Sequence, residues 1–210
     1  MNTIDSKKHG ANRVVALAGA LGALTVLLTV TRLGFIPWFS GAAITILHVP
    51  VILAVCLNPK GNDGLWAGLG VAAVFGVSSL VYSAISPAGP IDPFFHNPLI
   101  SVLPRLLFAA AVFLLYKGFS AVFNRICPCL ALVSIALTAF IGTLAHAVFV
   151  LGALVIASAI PPAVMWAVIV GNSFLEAGAA VVLCTAVAGS FQGISKRNVS
   201  KLNSKSEGNT

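Results

Sequence analysis

From Cys129 to Ile160 the chain carries no aspartate, glutamate, lysine or arginine. A run of that length meets the roughly 20 apolar residues that a helix needs to cross bilayer hydrocarbon. Similar stretches recur, and together they predict six spans: Arg13–Leu33, Ala42–Leu57, Gly64–Ile85, Pro98–Lys117, Cys129–Ile160 and Ala163–Phe191. Only 8% of positions are charged, against about 25% in an ordinary soluble domain. The fold class expected is an all-α membrane protein with six transmembrane helices. The first run is too long for a cleavable signal h-region of about 7 to 15 residues, and no small-x-small site follows it directly, so it reads as a retained span. Residues 1–12 read as a polar N-terminal tail, 13–191 as one six-helix transmembrane domain, and 192–210 as a basic tail without fixed structure.

The chain has a net charge of +7, and its distribution predicts orientation rather than nucleic-acid binding. Lys7, Lys8, Arg13, Lys60, Lys117, Arg125, Lys196, Arg197, Lys201 and Lys205 fall on one side of a six-span topology, with Arg32 alone on the other. By the positive-inside rule both termini are cytoplasmic, in a cell (plasma) membrane, and the proline-rich segment 86–97 faces out.

One polar group enters the apolar core without an obvious reason. Asn97 and Pro98 form an N-cap and first helical position, Pro104 bends the helix that follows, and Ser101 and Arg105 lie four apart on one face of it. Arg105 then sits about 10 Å along the helix. A charge within a span costs about 2.5 to 3.5 kcal/mol on insertion scales, so it faces a partner or a cavity and marks function. Asn172 and Glu176 are a second polar pair, four apart on the sixth span, with Glu176 about 20 Å along it. Thr143, His146 and Val150 share a face of the fifth span, and His48 lies beside the Pro50 kink of the second. Arg105, His146, Asn172 and Glu176 are therefore expected to line one outward-opening site, unless Arg105 and Glu176 simply bridge the bundle.

Other features narrow the reading. Cys127-Pro128-Cys129 lacks the second ligand pair that a zinc site needs, so no metal is expected, and the four cysteines form no disulfide framework. No P-loop is present, and no matched pair of interrupted helices suggests inverted repeats. Energy for uptake would come from a partner. On the first span, Ala16 and Ala20, Ala18 and Gly22, and Gly19 and Ala23 are spaced to let another helix backbone approach closely.

Three stretches carry a resemblance: Gly41-Ala42-Ala43-Ile44-Thr45-Ile46-Leu47-His48-Val49-Pro50-Val51-Ile52, the turn Asn58-Pro59-Lys60-Gly61, and above all Asn97-Pro98-Leu99-Ile100-Ser101-Val102-Leu103-Pro104-Arg105. With them the chain, over residues 13–191, resembles the substrate-binding S components of energy-coupling factor (ECF) vitamin transporters, and is most similar to the pantothenate-type branch. The resemblance implies an S-component bundle that captures a small water-soluble vitamin, pantothenate first among them, and uses no cofactor. It implies partners too: a transmembrane scaffold subunit and two ATPase subunits, with Ala16, Gly19, Ala20 and Ala23 as the docking face. Arg105 would hold a carboxylate; Asn97, Ser101, His48, His146, Asn172 and Glu176 would hydrogen-bond the solute; Trp38 and Phe94, on the segments 35–41 and 86–97, would cover it. Riboflavin or another vitamin precursor is the nearest rival. A stand-alone facilitator, or a small intramembrane enzyme using His146 and Glu176, stands further off, and no catalytic residue is assigned.

Overall fold

A computed structural model describes residues 3–33, 35–37, 43–86, 92–127 and 130–207. The elements in order are α1 (Thr3–Val30), a two-stranded ribbon β1 (Phe35–Pro37) and β2 (Ala43–Thr45), α2 (Val49–Cys56), α3 (Asp63–Ile85), a 3₁₀ turn (Asp92–His96), α4 (Pro98–Ser101), α5 (Leu103–Ile126), α6 (Ala131–Ile156), α7 (Pro162–Val168), a π-turn (Ile169–Ser173) and α8 (Phe174–Glu207). The ribbon is antiparallel, with Phe35 opposite Thr45 and Pro37 opposite Ala43. Among the described residues, five helical stretches are long and apolar enough to cross a membrane: Ala11–Val30, Asp63–Ile85, Pro98–Phe123, Ala131–Ile156 and Pro162–Phe191. The chain is a multi-pass helical membrane protein.

The second span, expected as a short helix from Ala42 to Leu57 interrupted at Pro50, is helical over only part of that range. Residues 43–45 are strand, and α2 has eight residues, about 12 Å of helix against a hydrocarbon core of about 30 Å. Pro50 accounts for the difference. Within a longer helix it would delete one hydrogen bond and clash with the Ile46 carbonyl, whereas in the first turn it costs nothing; the helix accordingly starts at Val49. Every residue of α2 is buried, and the helix packs against α1, α3, α5, α6 and α8 alike. It is the axle of the bundle.

Around it the long helices pair by close approach at small residues. Gly22 of α1 faces Val74 of α3, and at the ends of the same two helices the Arg32 guanidinium donates to the Tyr82 hydroxyl and to Ser86. α1 and α3 therefore run parallel, and the chain between them returns through the bundle along the ribbon and α2. Gly68 faces Val55 of α2 and Ala109 of α5, Gly76 meets the backbone at Val102, and Gly142 faces Val112 and Phe108. The first two pairings make α3 antiparallel to α5, and Gly142 against Val112 together with His146 against Phe108 makes α5 antiparallel to α6.

Other boundaries shift for local reasons. The expected fourth span is broken at Val102 into α4 and α5, because Pro104 cannot donate to the Ile100 carbonyl. α6 stops at Ile156 rather than Ile160: Ser158 adopts a left-handed φ of 56°, and Ala159 N–H reaches back to the Leu154 carbonyl at 2.9 Å, the 6→1 bond of a Schellman stop. The sixth span contains the π-turn. α1 begins at Thr3 and α8 continues to Glu207, so the tails expected at 1–12 and 192–210 are helical over their described residues; once a helix is nucleated, each further turn is cheap. Cys127 is disulfide-bonded, which the sequence reading did not anticipate, while Cys56 and Cys184 are free and buried.

A methyl group at Gly76 would lie 2.8 Å from the Val102 Cα and 3.0 Å from the Ser101 carbonyl oxygen, whereas at Gly70 it would meet nothing. Gly76→Ala is expected to destabilise by about 1 to 3 kcal/mol, and Gly70→Ala to stay within about 0.5 kcal/mol of wild type. Unfolding midpoints in detergent measure both.

Candidate functional site

The site begins with a broken helix. Pro104 leaves the Ile100 carbonyl without its helical donor, and the Arg105 guanidinium fills that role, Nη1 donating to Ile100 O at 2.7 Å. This bond turns the side chain back toward the 3₁₀ turn. There it lies between two aromatic faces, 4.9 Å from the Phe95 ring centroid and 5.4 Å from that of Phe75, each contact worth about 0.5 to 2 kcal/mol. Arg105 is buried, its Nε has no hydrogen-bond partner, and among the described residues no carboxylate pairs with it. A buried cation without an anion is costly by several kcal/mol.

Phe75 leads from Arg105 to the histidines. Its ring stacks on His146 at 5.7 Å, His146 stacks on His48 at 5.2 Å, and Phe108 meets His146 edge-on at 4.9 Å. His48 Nε2 lies 2.9 Å from Thr143 Oγ1. His48 holds this place because it caps α2, whose start is fixed by Pro50. His48 Nδ1 and His146 Nε2 are buried without a hydrogen-bond partner.

Three residues before His48, the ribbon meets α8. Glu176 Oε1 accepts from the Thr45 amide at 2.7 Å, from the Thr45 hydroxyl at 2.9 Å and from Asn172 Nδ2 at 3.0 Å. Half-buried non-helical backbone against a helical wall is satisfied by such partners. Asn172 lies within the π-turn, a distortion that recurs at functional sites. The carboxylate is thus committed to the ribbon and to Asn172. It does not bridge to Arg105, so the cross-bundle ion pair considered from sequence is absent among the described residues.

The other residues singled out from sequence fall into three groups. Asn97 is exposed and caps α4, accepting from Leu99 N at 3.0 Å; Ser101 is buried and donates to the Gly76 carbonyl at 2.7 Å. Both polar groups serve the fold here. Phe94 is exposed, and its neighbour Phe95 is the ring that covers Arg105; Trp38 lies outside the described residues. Ala16, Gly19, Ala20 and Ala23 are all exposed, whereas Leu21, Gly22, Thr25 and Thr29 are buried, forming the face of α1 that looks into the bundle.

Sequence reasoning did not assign Thr45, Phe75, Phe95, Phe108 or Thr143 to the site. Two signals pointed to them: Thr143 shares a helix face with His146, and Thr45 lies three residues before His48. No protein-family model matches the chain, and no curated protein matches it either.

Replacing Glu176 tests whether it anchors the ribbon. Glu176→Ala, which strands the Thr45 N–H and the Asn172 amide, is expected to cost about 2 to 4 kcal/mol, and Glu176→Gln, which keeps an acceptor oxygen, about 1 kcal/mol. Hydrogen exchange at the Thr45 amide should speed up in the alanine variant far more than in the glutamine variant.

Proposed function

We propose that the chain is the solute-capturing subunit of an energy-coupling factor importer, and that it takes a small carboxylate vitamin, pantothenate first, from the outer face. The observation that carries this reading is Arg105: a buried guanidinium between two aromatic rings, its Nε–H unpartnered and, among the described residues, no carboxylate hydrogen-bonded to it. A carboxylate solute would supply the missing anion through a charge-assisted hydrogen bond. His48 and His146, joined to Arg105 through Phe75, would meet polar groups further along the same solute.

The remaining expectations fit around this one. The parallel course of α1 and α3 supports a six-pass topology, in which the ribbon and α2 together make the second crossing. Both termini then lie with the basic loops, on the cytoplasmic side. The exposed small residues Ala16, Gly19, Ala20 and Ala23 support docking of α1 onto a scaffold subunit that carries two ATPases, since small residues let helices approach closely in lipid. The short 3₁₀ turn with Phe95 is the cover over the arginine.

The test is binding to purified protein. Pantothenate should raise the unfolding temperature and bind stoichiometrically by calorimetry, and Arg105→Leu should weaken binding by about 2 to 5 kcal/mol. Riboflavin binding in place of pantothenate would redirect the reading to an aromatic solute, and affinity unchanged in Arg105→Leu would remove the arginine from the site. Ala20→Phe should leave solute binding intact and abolish co-purification with a scaffold and ATPase pair.

A further inference from the structure

The Thr143 hydroxyl has one hydrogen, and it is donated to the Ala139 carbonyl at 2.7 Å. Its oxygen must then be the acceptor in the 2.9 Å contact with His48 Nε2, which assigns a ring proton to Nε2. His48 is fully buried, and among the described residues no carboxylate is hydrogen-bonded to it, so the ring carries that one proton. Nδ1 is left with a lone pair. That atom is buried and has no hydrogen-bond partner. It belongs to a ring stacked on His146, whose Nε2 is likewise buried and unpartnered, and His146 in turn packs on Phe75, the ring beneath the Arg105 guanidinium.

We propose that His48 Nδ1 is a fixed hydrogen-bond acceptor that selects, among carboxylates held by Arg105, those carrying a hydroxyl or secondary amide N–H. The inference rests on the capture reading and narrows it to a class: short hydroxy- or amido-carboxylic acids. A carbonyl or ether oxygen brought to Nδ1 would set two acceptors against each other in a dry site, so solutes lacking the donor are rejected by the unmet lone pair. Thr143 is the positioning residue. It touches no solute and acts by holding the tautomer.

The experiment has two arms, both on the full chain in nanodiscs. In ¹⁵N-histidine-labelled protein, the imidazole nitrogen spectrum reports the tautomer of each ring. The signals are assigned by removing His9, His96 and His146 singly, so that His48 need not be replaced. His48 is expected as the Nε2–H form in wild type and in Thr143→Ser, and as a mixture in Thr143→Val. In the second arm, calorimetry compares pantothenate with derivatives methylated at its hydroxyls or at its amide nitrogen. Wild type should bind at least one derivative about tenfold or more weakly than the parent, and Thr143→Val should bring that ratio close to one. An Nδ1–H or doubly protonated His48 overturns the proposal. So does equal binding of parent and derivatives, the result expected if His48 meets only a resident water, and so does a penalty that persists in Thr143→Val, which would reflect bulk alone. Failure of all these acids to bind withdraws the capture reading and this subsite with it, an outcome distinct from binding without discrimination.

Discussion

Proline and arginine side by side resolve one another's difficulty at the start of α5. Pro104 frees a carbonyl inside an apolar bundle, where an unmet acceptor is expensive. Arg105 meets it with a guanidinium that would otherwise be a bare charge. Neither residue is comfortable there without the other. One consequence is directional: the bond to Ile100 draws the guanidinium up between Phe75 and Phe95 rather than letting it snorkel to the lipid surface. A second is that one N–H stays unused, and that spare capacity is the basis of the functional reading.

Arg105 and Glu176, whose direct bridge was the alternative to a shared site, are separately employed. Glu176 holds the ribbon, with three donors converging on one oxygen, and this ties non-helical backbone to α8. Arg105 holds a helix break. Between them stand two stacked imidazoles and the rings of Phe75 and Phe108, an aromatic wall whose polar atoms are few and nearly all on the histidines. This is a sparse pattern of polar groups on an apolar lining, the usual composition of a small-molecule site.

What the sequence made legible follows the strength of each physical signal. Long apolar runs without charge give the spanning helices, because burying backbone in lipid leaves few alternatives. Pro104 and the Asn97–Pro98 cap were readable as a bend and a start, since their chemistry is local. The stretch 42–57 was read as a helix interrupted at Pro50, and its first residues are strand instead: a short apolar run fits a strand as well as a helix, and only packing decides. The π-turn at Ile169–Ser173 has no signature of its own. Arg105, His48, His146, Asn172 and Glu176 could be nominated because polar side chains in such runs stand out, but their partners could not. Which oxygen meets which nitrogen depends on helix rotation, and Ser101, apparently poised beside Arg105, turns instead to Gly76.

The ribbon joins α2 through Ile46, Leu47 and His48, and the two ends of this passage bind different walls. Thr45 is fastened to α8 through Glu176, and His48 to α6 through Thr143. Both fastenings are made by side chains facing inward, while the lipid-facing surfaces of α6 and α8 take no part. One short connection is thus pinned from two sides, and any change in its course would have to be matched at Glu176 and Thr143, while the outer walls of the bundle could stay as they are.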